Sequence, residues 1–189
     1  MKHRKIEKRH YTQILRGKLF QRILIGTILI LLLSIFVDIK LVIFLSIAVA
    51  FNAYLALFQL KRGLPTDFEL STFAAVLTTM AFGIKWGLFI AIFSKLIASI
   101  YSGSIIVDHI FMIITYCIAA LATHVFRFVN VKALGMAIVV MNCIIMFLVS
   151  HNVLRLDPTT NISYTSTNFV FNTLVFMSMS EIVLKLLTL

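Results

Sequence analysis

The sequence predicts an all-α fold, a polytopic transmembrane helical bundle with six to seven spans. Hydrophobic residues make up 61% of the 189-residue chain, charged residues make up only 13%, and the mean hydropathy is +1.04. Soluble globular chains are about half apolar and about a quarter charged, so water is a poor solvent for this chain. Inside a bilayer, only helices and closed barrels satisfy every backbone polar group. The apolar segments approach the ~20 residues of a spanning helix and do not alternate like the ~10-residue strands of a barrel.

Seven apolar segments follow one another along the chain, separated by polar or glycine-containing breaks. We place them at about residues 20–37, 41–60, 68–82, 86–101, 105–126, 133–149 and 168–187. The break KRGLP at 61–65 combines glycine with proline and is a strong helix terminator. The longest polar break, residues 150–167, is interpreted as a loop that serves either as a lid over a pocket or as a plain linker. Together these segments predict one transmembrane domain, residues 20–189.

Residues 1–19 form a separate basic segment. Eight of the 17 Lys and Arg residues fall within the first 22 positions, against one acidic residue, Glu7. This density of positive charge beside an apolar segment favours a cytoplasmic tail that faces lipid headgroups. A nucleic-acid-binding arm is the disfavoured alternative, and we predict no nucleic-acid partner. We expect an integral membrane protein in the plasma membrane of a prokaryote.

No catalytic motif stands out, and we do not expect an enzyme. The sequence has no H-E-x-x-H pair, no glycine-rich phosphate loop and no G-x-S-x-G turn. His109, His124 and His151 do not repeat at helical spacing, which disfavours a metal site. Cys117 and Cys143 lie inside apolar segments and are interpreted as packing residues. We predict neither a metal nor a cofactor.

Polar and ionisable residues inside or at the edges of the apolar segments are the candidate substrate-binding residues. Such side chains are costly in hydrocarbon and therefore indicate function. The candidates are Glu69, Lys95, Asp108, His109, Asn168 and Asn172. Structural alternatives remain open. Lys95 could extend to the headgroups, Glu69 and Asp108 could each complement a helix N-terminus, and the asparagines could hydrogen-bond between helices.

The spacing of residues within two segments predicts further contacts. Ala48, Asn52 and Ala56 recur at every fourth position of the second segment, and such small residues let helices approach closely. We interpret this face as a docking surface for a partner or as ordinary intramolecular packing. In the last segment, Glu181 precedes Lys185 by four residues, the favoured order for an ion pair on one helix.

Three features within residues 66–189 are similar to those of one family of membrane proteins. TFAAVL at 72–77 leads into AFGIKWGL at 81–88, which is similar to a helix–Gly-x-Lys-x-Gly–helix junction. The following span ends in SGS at 102–104, and the last segment contains NFVFN at 168–172. In these features the chain resembles the substrate-binding S-components of energy-coupling-factor (ECF) vitamin transporters. The junction also resembles rod-shape proteins of the MreD type.

The resemblance to S-components implies a small bundle that binds a vitamin-like molecule near the outer face of the membrane. It also implies docking, through small-residue helix faces, onto a transmembrane coupling protein and ATPase subunits. The first apolar segment looks additional to the family's helices. The predicted function is therefore the solute-binding subunit of a vitamin or micronutrient uptake transporter. The alternative is an MreD-like structural or scaffold protein without a solute ligand.

Overall fold

The computed structural model describes residues 37–63, 66–103 and 107–189, and all regular structure in these residues is helical. The helices are α1 (Ile39–Arg62), α2 (Ser71–Phe82), α3 (Ile84–Ser102), α4 (Val107–Val125), α5 (Val131–Asn152) and α6 (Pro158–Thr188). The predicted basic tail lies outside the described residues, and so does the predicted first span except for its last residue. Residues 44–189 form one compact unit, whereas the residues up to Ile43 belong to another.

Within the described residues, five of the six helices are long and apolar enough to cross a membrane, all except α2. The prediction of an all-helical membrane protein is confirmed, whereas the predicted count of six to seven spans is not. A helix rises about 1.5 Å per residue, so the 12 residues of α2 extend about 18 Å, against about 30 Å of hydrocarbon. α2 is therefore too short to span a bilayer by itself.

This short helix packs at the centre of the bundle. Residues 71–79 are all buried, and α2 contacts α3, α4, α5 and α6. The ring of Phe73 meets that of Phe176 in α6 edge to face, with centroids 5.1 Å apart. On α3, Gly87 permits a close approach, since a Cβ atom there would collide with the Thr79 side chain. The centre of this bundle is thus occupied by a helix of about half the spanning length.

The two ends of α2 differ in their surroundings. Around its C-terminal half lies an apolar cluster from several helices, with Leu77, Leu134, Ile138 and Phe176 among its buried members. We call this region the closed end of the bundle. The N-terminus of α2 instead faces the polar residues described below, and we call that region the pocket end.

The chain between residues 150 and 167 is mostly helical, so the predicted long loop is wrong. α5 continues to Asn152, and α6 already begins at Pro158. The Asp157 side chain caps α6 by accepting a hydrogen bond from the Thr160 N–H, and proline is favoured in a first helical turn. Only residues 153–157 connect the two helices. The segment interpreted as a lid therefore supplies a helical wall.

Candidate functional site

A pocket of about 600 Å³ lies at the pocket end of the bundle. Its walls are the C-terminal parts of α1, α3 and α5, the first turns of α4 and α6, and residues 66–69. The short length of α2 explains the space. Its first residue, Ser71, donates a hydrogen bond to Ser94 of α3, and α3 continues to Ser102, about 12 Å further along its axis. The neighbouring helices thus enclose a volume that α2 does not fill.

The non-helical segment 66–70 crosses this end of the bundle, and α1 holds one side of it. Backbone polar groups away from water need partners when no helix supplies them. Gln59 accepts a hydrogen bond from the Phe68 N–H at 3.2 Å and donates to the Phe68 carbonyl at 2.8 Å. Asn52 accepts from the Leu70 N–H at 3.0 Å. Two amide side chains of α1 therefore replace the backbone hydrogen bonds that the segment lacks.

α6 holds the other side of the segment at Asp67. Thr167 Oγ1 accepts a hydrogen bond from the Asp67 N–H at 3.0 Å, and Asn168 Nδ2 donates to Asp67 Oδ2 at 2.7 Å. Asn172 in turn donates to the backbone and side-chain oxygens of Asn168, at 3.2 and 3.1 Å. Asn168 and Asn172, both predicted to bind substrate, thus lie behind the pocket wall and orient Asp67. Their role in substrate binding stays a prediction.

Lys95 and Glu69 form a buried ion pair in the pocket wall. Lys95 Nζ lies 2.6 Å from Glu69 Oε2, and the two side chains are only 11% and 4% exposed. The alternative in which Lys95 extends to the headgroups is therefore wrong, because its charge is neutralised inside the bundle. Burial alone opposes ionisation of Glu69, but the attraction of Lys95 outweighs it and lowers the pKa of Glu69. The pair is thus maintained in its charged form.

The second carboxylate oxygen of Glu69 is unsatisfied. Oε1 is buried and has no hydrogen-bond partner within the described part of the chain. The Tyr116 hydroxyl and the Ser71 side chain both lie near enough to this carboxylate to favour its ionised form. The contact between Oε1 and the Tyr116 hydroxyl falls short of full hydrogen-bond geometry. A buried acceptor without a donor costs about 1–3 kcal/mol, and more when it is charged. Oε1 of Glu69 is therefore an incompletely satisfied acceptor inside the bundle, next to the Tyr116 hydroxyl.

Asp108 and His109 bring the first turn of α4 into the pocket wall. Ser99 Oγ donates to the Lys95 carbonyl at 2.8 Å and lies 2.8 Å from His109 Nδ1. These two contacts connect the first turn of α4 to α3 through the Ser99 hydroxyl. Asp108 lies within electrostatic reach of Lys95 and Glu69. Four of the six predicted substrate-binding residues thus line one pocket.

Asp67 is a pocket residue that the sequence interpretation missed. It lines the pocket and is only 8% exposed, in a segment outside the spanning helices. Burial raises the pKa of Asp67 from 3.8 to about 7, although the attraction of Lys95 acts in the opposite direction. A signal was available in TDFE at 66–69, where two acids alternate at the edge of an apolar segment. Only the second, Glu69, was singled out.

Ala48, Asn52 and Ala56, the predicted docking face, take part in contacts within the bundle. Ala48 is buried in an apolar cluster, and Ala56 lines the pocket. The Asn52 amide donates to the hydroxyls of Ser71 and Ser94, at 2.8 and 3.0 Å. The structure thus shows the intramolecular packing that the sequence left open at these positions. Docking of a partner there stays a prediction.

Glu181 pairs with a different lysine from the one predicted. Lys132 at the start of α5 places Nζ 3.0 Å from Glu181 Oε2, and the two side chains are 35% and 50% exposed. The Asn130 amide also reaches Glu181, at 3.4 Å. The predicted pair with Lys185 is therefore wrong, because a contact between helices replaces the contact along α6.

The fold and the pocket define an all-helical membrane protein with a polar site at one end of its bundle. No protein-family model matches the chain, and no curated protein and no solved structure matches it significantly. The resemblance to S-components and to MreD-type proteins therefore stays a prediction. Function has to be argued from the geometry of the site.

Proposed function

We propose that this chain is the membrane-embedded solute-binding subunit of a vitamin or micronutrient uptake transporter. The supporting observation is a pocket of about 600 Å³ whose wall contains a buried ion pair and two further carboxyl groups, those of Asp67 and Asp108. Small-molecule sites typically have volumes of about 300–1,000 Å³, which suits a molecule of vitamin size. Polar groups are costly in a membrane bundle, and a ligand that completes their hydrogen bonds offsets that cost.

The hydrogen bonds that hold the segment 66–70 in the pocket wall favour a binding site over simple packing. Gln59 and Asn52 anchor the segment 66–70 from α1, and Thr167 and Asn168 anchor it from α6. A site held in place before the ligand arrives loses less conformational entropy on binding. In this proposal, energy for transport comes from the transmembrane coupling protein and ATPase subunits that the resemblance implies, since the sequence contains no phosphate-binding loop.

The scaffold alternative has less support. It expects a bundle packed throughout, with Asn142, Asn168 and Asn172 hydrogen-bonded to one another. Asn172 does donate to Asn168, but Asn142 donates to Thr72 of α2 at 2.9 Å. The pocket itself counts against a solid bundle.

The test is binding to detergent-purified protein, measured by native mass spectrometry and thermal unfolding against a panel of vitamins and enzyme cofactors. We expect one compound to bind, with one molecule per chain, and to raise the unfolding temperature. Ala56→Trp places a large ring in the pocket and should abolish binding. Ala137→Trp adds the same ring on an exposed position of α5 and should leave binding unchanged.

Two results would contradict the proposal. One is that no compound of the panel binds, and the other is that the Ala56→Trp variant binds as tightly as the unmodified protein. The transport part is tested separately by purification from native membranes, where ATPase subunits should co-purify. If the protein binds a solute but no ATPase subunits co-purify, the solute-binding part of the proposal stands and the transporter part is contradicted.

A further inference from the structure

The pocket wall is acidic although the chain as a whole is basic. The net charge of the chain is +10. The pocket wall, however, holds three carboxyl groups, Asp67, Glu69 and Asp108, and one ammonium group, Lys95. With these four ionised and His109 neutral, one positive and three negative charges give a formal charge of −2. When these groups are ionised, the pocket wall carries a negative charge that attracts cations.

The one ammonium group is already engaged. Lys95 forms its ion pair with Glu69, and neither Asp67 nor Asp108 has a salt-bridge partner among the described residues. Asp67 receives a hydrogen bond from the Asn168 amide, which orients the carboxyl group without neutralising it. A carboxylate removed from water is stabilised mainly by an opposite charge nearby. Asp67 and Asp108 thus have only the more distant attraction of Lys95, and neither has a cation from the described part of the chain in direct contact to stabilise its ionised form.

We infer that the solute bound in this pocket carries a protonated amine, which the Asp67 and Asp108 carboxylates bind. The inference rests on the proposed function and adds the charge of the ligand to it. The ammonium group of the ligand supplies the missing positive charge, and its N–H groups donate to carboxylate oxygens.

An organic cation suits this pocket better than a metal ion. Within the described residues, no three His, Cys, Asp or Glu side chains come together as a metal site requires. A volume of about 600 Å³ also far exceeds that of a single ion. Part of the lining is apolar or aromatic, with Phe68, Met112, Met146 and Tyr164 among its residues. Such a lining fits a molecule with an apolar body, and the aromatic faces additionally attract cations.

The test compares three probes that share an indole ring and differ in charge: tryptamine, neutral tryptophol and anionic indole-3-acetate. Binding to the full-length protein in detergent is measured by native mass spectrometry and calorimetry. We expect tryptamine to bind at least about tenfold more tightly than tryptophol, because a charge pair in a low-dielectric pocket is stronger than a neutral hydrogen bond. Indole-3-acetate should bind most weakly, because the carboxylates repel it.

Replacing a carboxylate by an amide tests which residues cause the preference for tryptamine. Asp108→Asn and Asp67→Asn retain the size of the side chain and should each remove the preference for tryptamine over tryptophol. Glu181→Gln is the matched control, since its carboxylate lies at the closed end and does not line the pocket. Thermal unfolding verifies that each variant is folded. A preference that survives both aspartate substitutions would overturn the inference.

The outcomes separate this inference from the proposed function. If tryptophol or indole-3-acetate binds as tightly as tryptamine, or only uncharged and anionic vitamins bind, the pocket takes solutes but the inference is wrong. If no solute of any charge binds, the proposed function fails and the inference fails with it. A lipid amine is a second source of the same chemistry. If phosphatidylethanolamine displaces tryptamine and phosphatidylcholine does not, amine binding stands while uptake of a soluble molecule is contradicted.

Discussion

The two ends of the bundle each contain a Lys–Glu ion pair, and the two pairs differ in their surroundings. At the pocket end, Lys95 and Glu69 are 2.6 Å apart and almost fully buried. At the closed end, Lys132 and Glu181 are 3.0 Å apart and remain substantially exposed. An exposed pair can exchange its partner for water, whereas loss of one member of a buried pair leaves an uncompensated charge. We therefore expect the loss of one partner to cost more stability at the pocket end than at the closed end.

The backbone differs between the two ends as well. At the closed end, glycines allow helices to touch, as where Gly135 of α5 faces the ring of Phe176 in α6. At the pocket end, the non-helical residues 66–70 depend on side-chain hydrogen bonds from α1 and α6. Apolar contacts therefore stabilise the closed end, and polar contacts shape the pocket end.

The largest expected effect is at the buried pair. Lys95→Met removes the ammonium group and leaves the Glu69 carboxylate buried without its cation, which should lower the free energy of unfolding by about 3–5 kcal/mol. Denaturant unfolding in mixed micelles measures the change. Adding Glu69→Gln to the same chain should restore part of the loss, because the stranded charge is then removed. A cost below about 1 kcal/mol for Lys95→Met would show that water reaches this pair.

The next largest loss of stability is expected from a substitution at the contact between α2 and α3. Gly87→Ala places a Cβ atom against Thr79 and should cost about 1–3 kcal/mol, a typical penalty for overpacking. The double variant Gly87→Ala with Thr79→Ala removes the colliding hydroxyl and should recover part of that loss, since the Cβ and Cα atoms of residue 79 remain close. Denaturant unfolding in the same micelles measures the free energy of unfolding of both variants. Equal stability of the single variant and the parent chain would mean that the two helices are not in such close contact.

The pH dependence of stability distinguishes the pocket end from the closed end. The pKa of Asp67 is raised in the folded protein, to about 7, so folding favours its protonated form. Its contribution to stability is therefore fully present below about pH 4 and is lost as the pH rises through about 7. The titratable groups that act on Asp67 or respond to its charge are Lys95 of α3, Glu69 of its own segment, Asp108 and Tyr116 of α4, and Cys143 of α5.

Asp67→Asn should flatten this dependence. We expect the unfolding temperature of the unmodified protein to fall between about pH 4 and about pH 7, and to fall much less in the variant. Glu181→Gln, which removes an exposed carboxylate at the closed end, should leave the slope between pH 5 and 7 about the same. An identical slope in Asp67→Asn would mean that another group titrates over this range.

The smallest effect is expected at the exposed pair. Lys132→Met breaks the ion pair with Glu181 and should change the free energy of unfolding by no more than about 1 kcal/mol. The same substitution is made in Lys95→Met. The difference between the two costs therefore measures how much burial of the ion pair contributes. Similar costs for the two lysines would remove the distinction between the two ends of the bundle.

Several pocket residues could be predicted because charges are rare within apolar segments. Lys95, Asp108 and Glu69 stood out for that reason, and the structure places all three in one pocket wall. The start of α6 was predicted wrongly because its first turns are rich in Thr, Ser and Asn. One of these residues, Asn161, is buried and donates to the Phe147 carbonyl of α5 at 3.1 Å. Polar residues that face a neighbouring helix or the pocket do not need water, so low hydropathy did not indicate a loop there.

By itself, the sequence determined that this chain is helical and suited to lipid, because that conclusion depends on the composition and length of its segments. Only the tertiary structure decided that Lys95 neutralises Glu69, that Asn168 orients Asp67, and that a short central helix leaves a pocket beside them. These partners lie 26 and 101 positions apart in the chain. Which residues meet over such separations depends on how the helices pack, and local patterns of hydropathy and charge do not specify that packing.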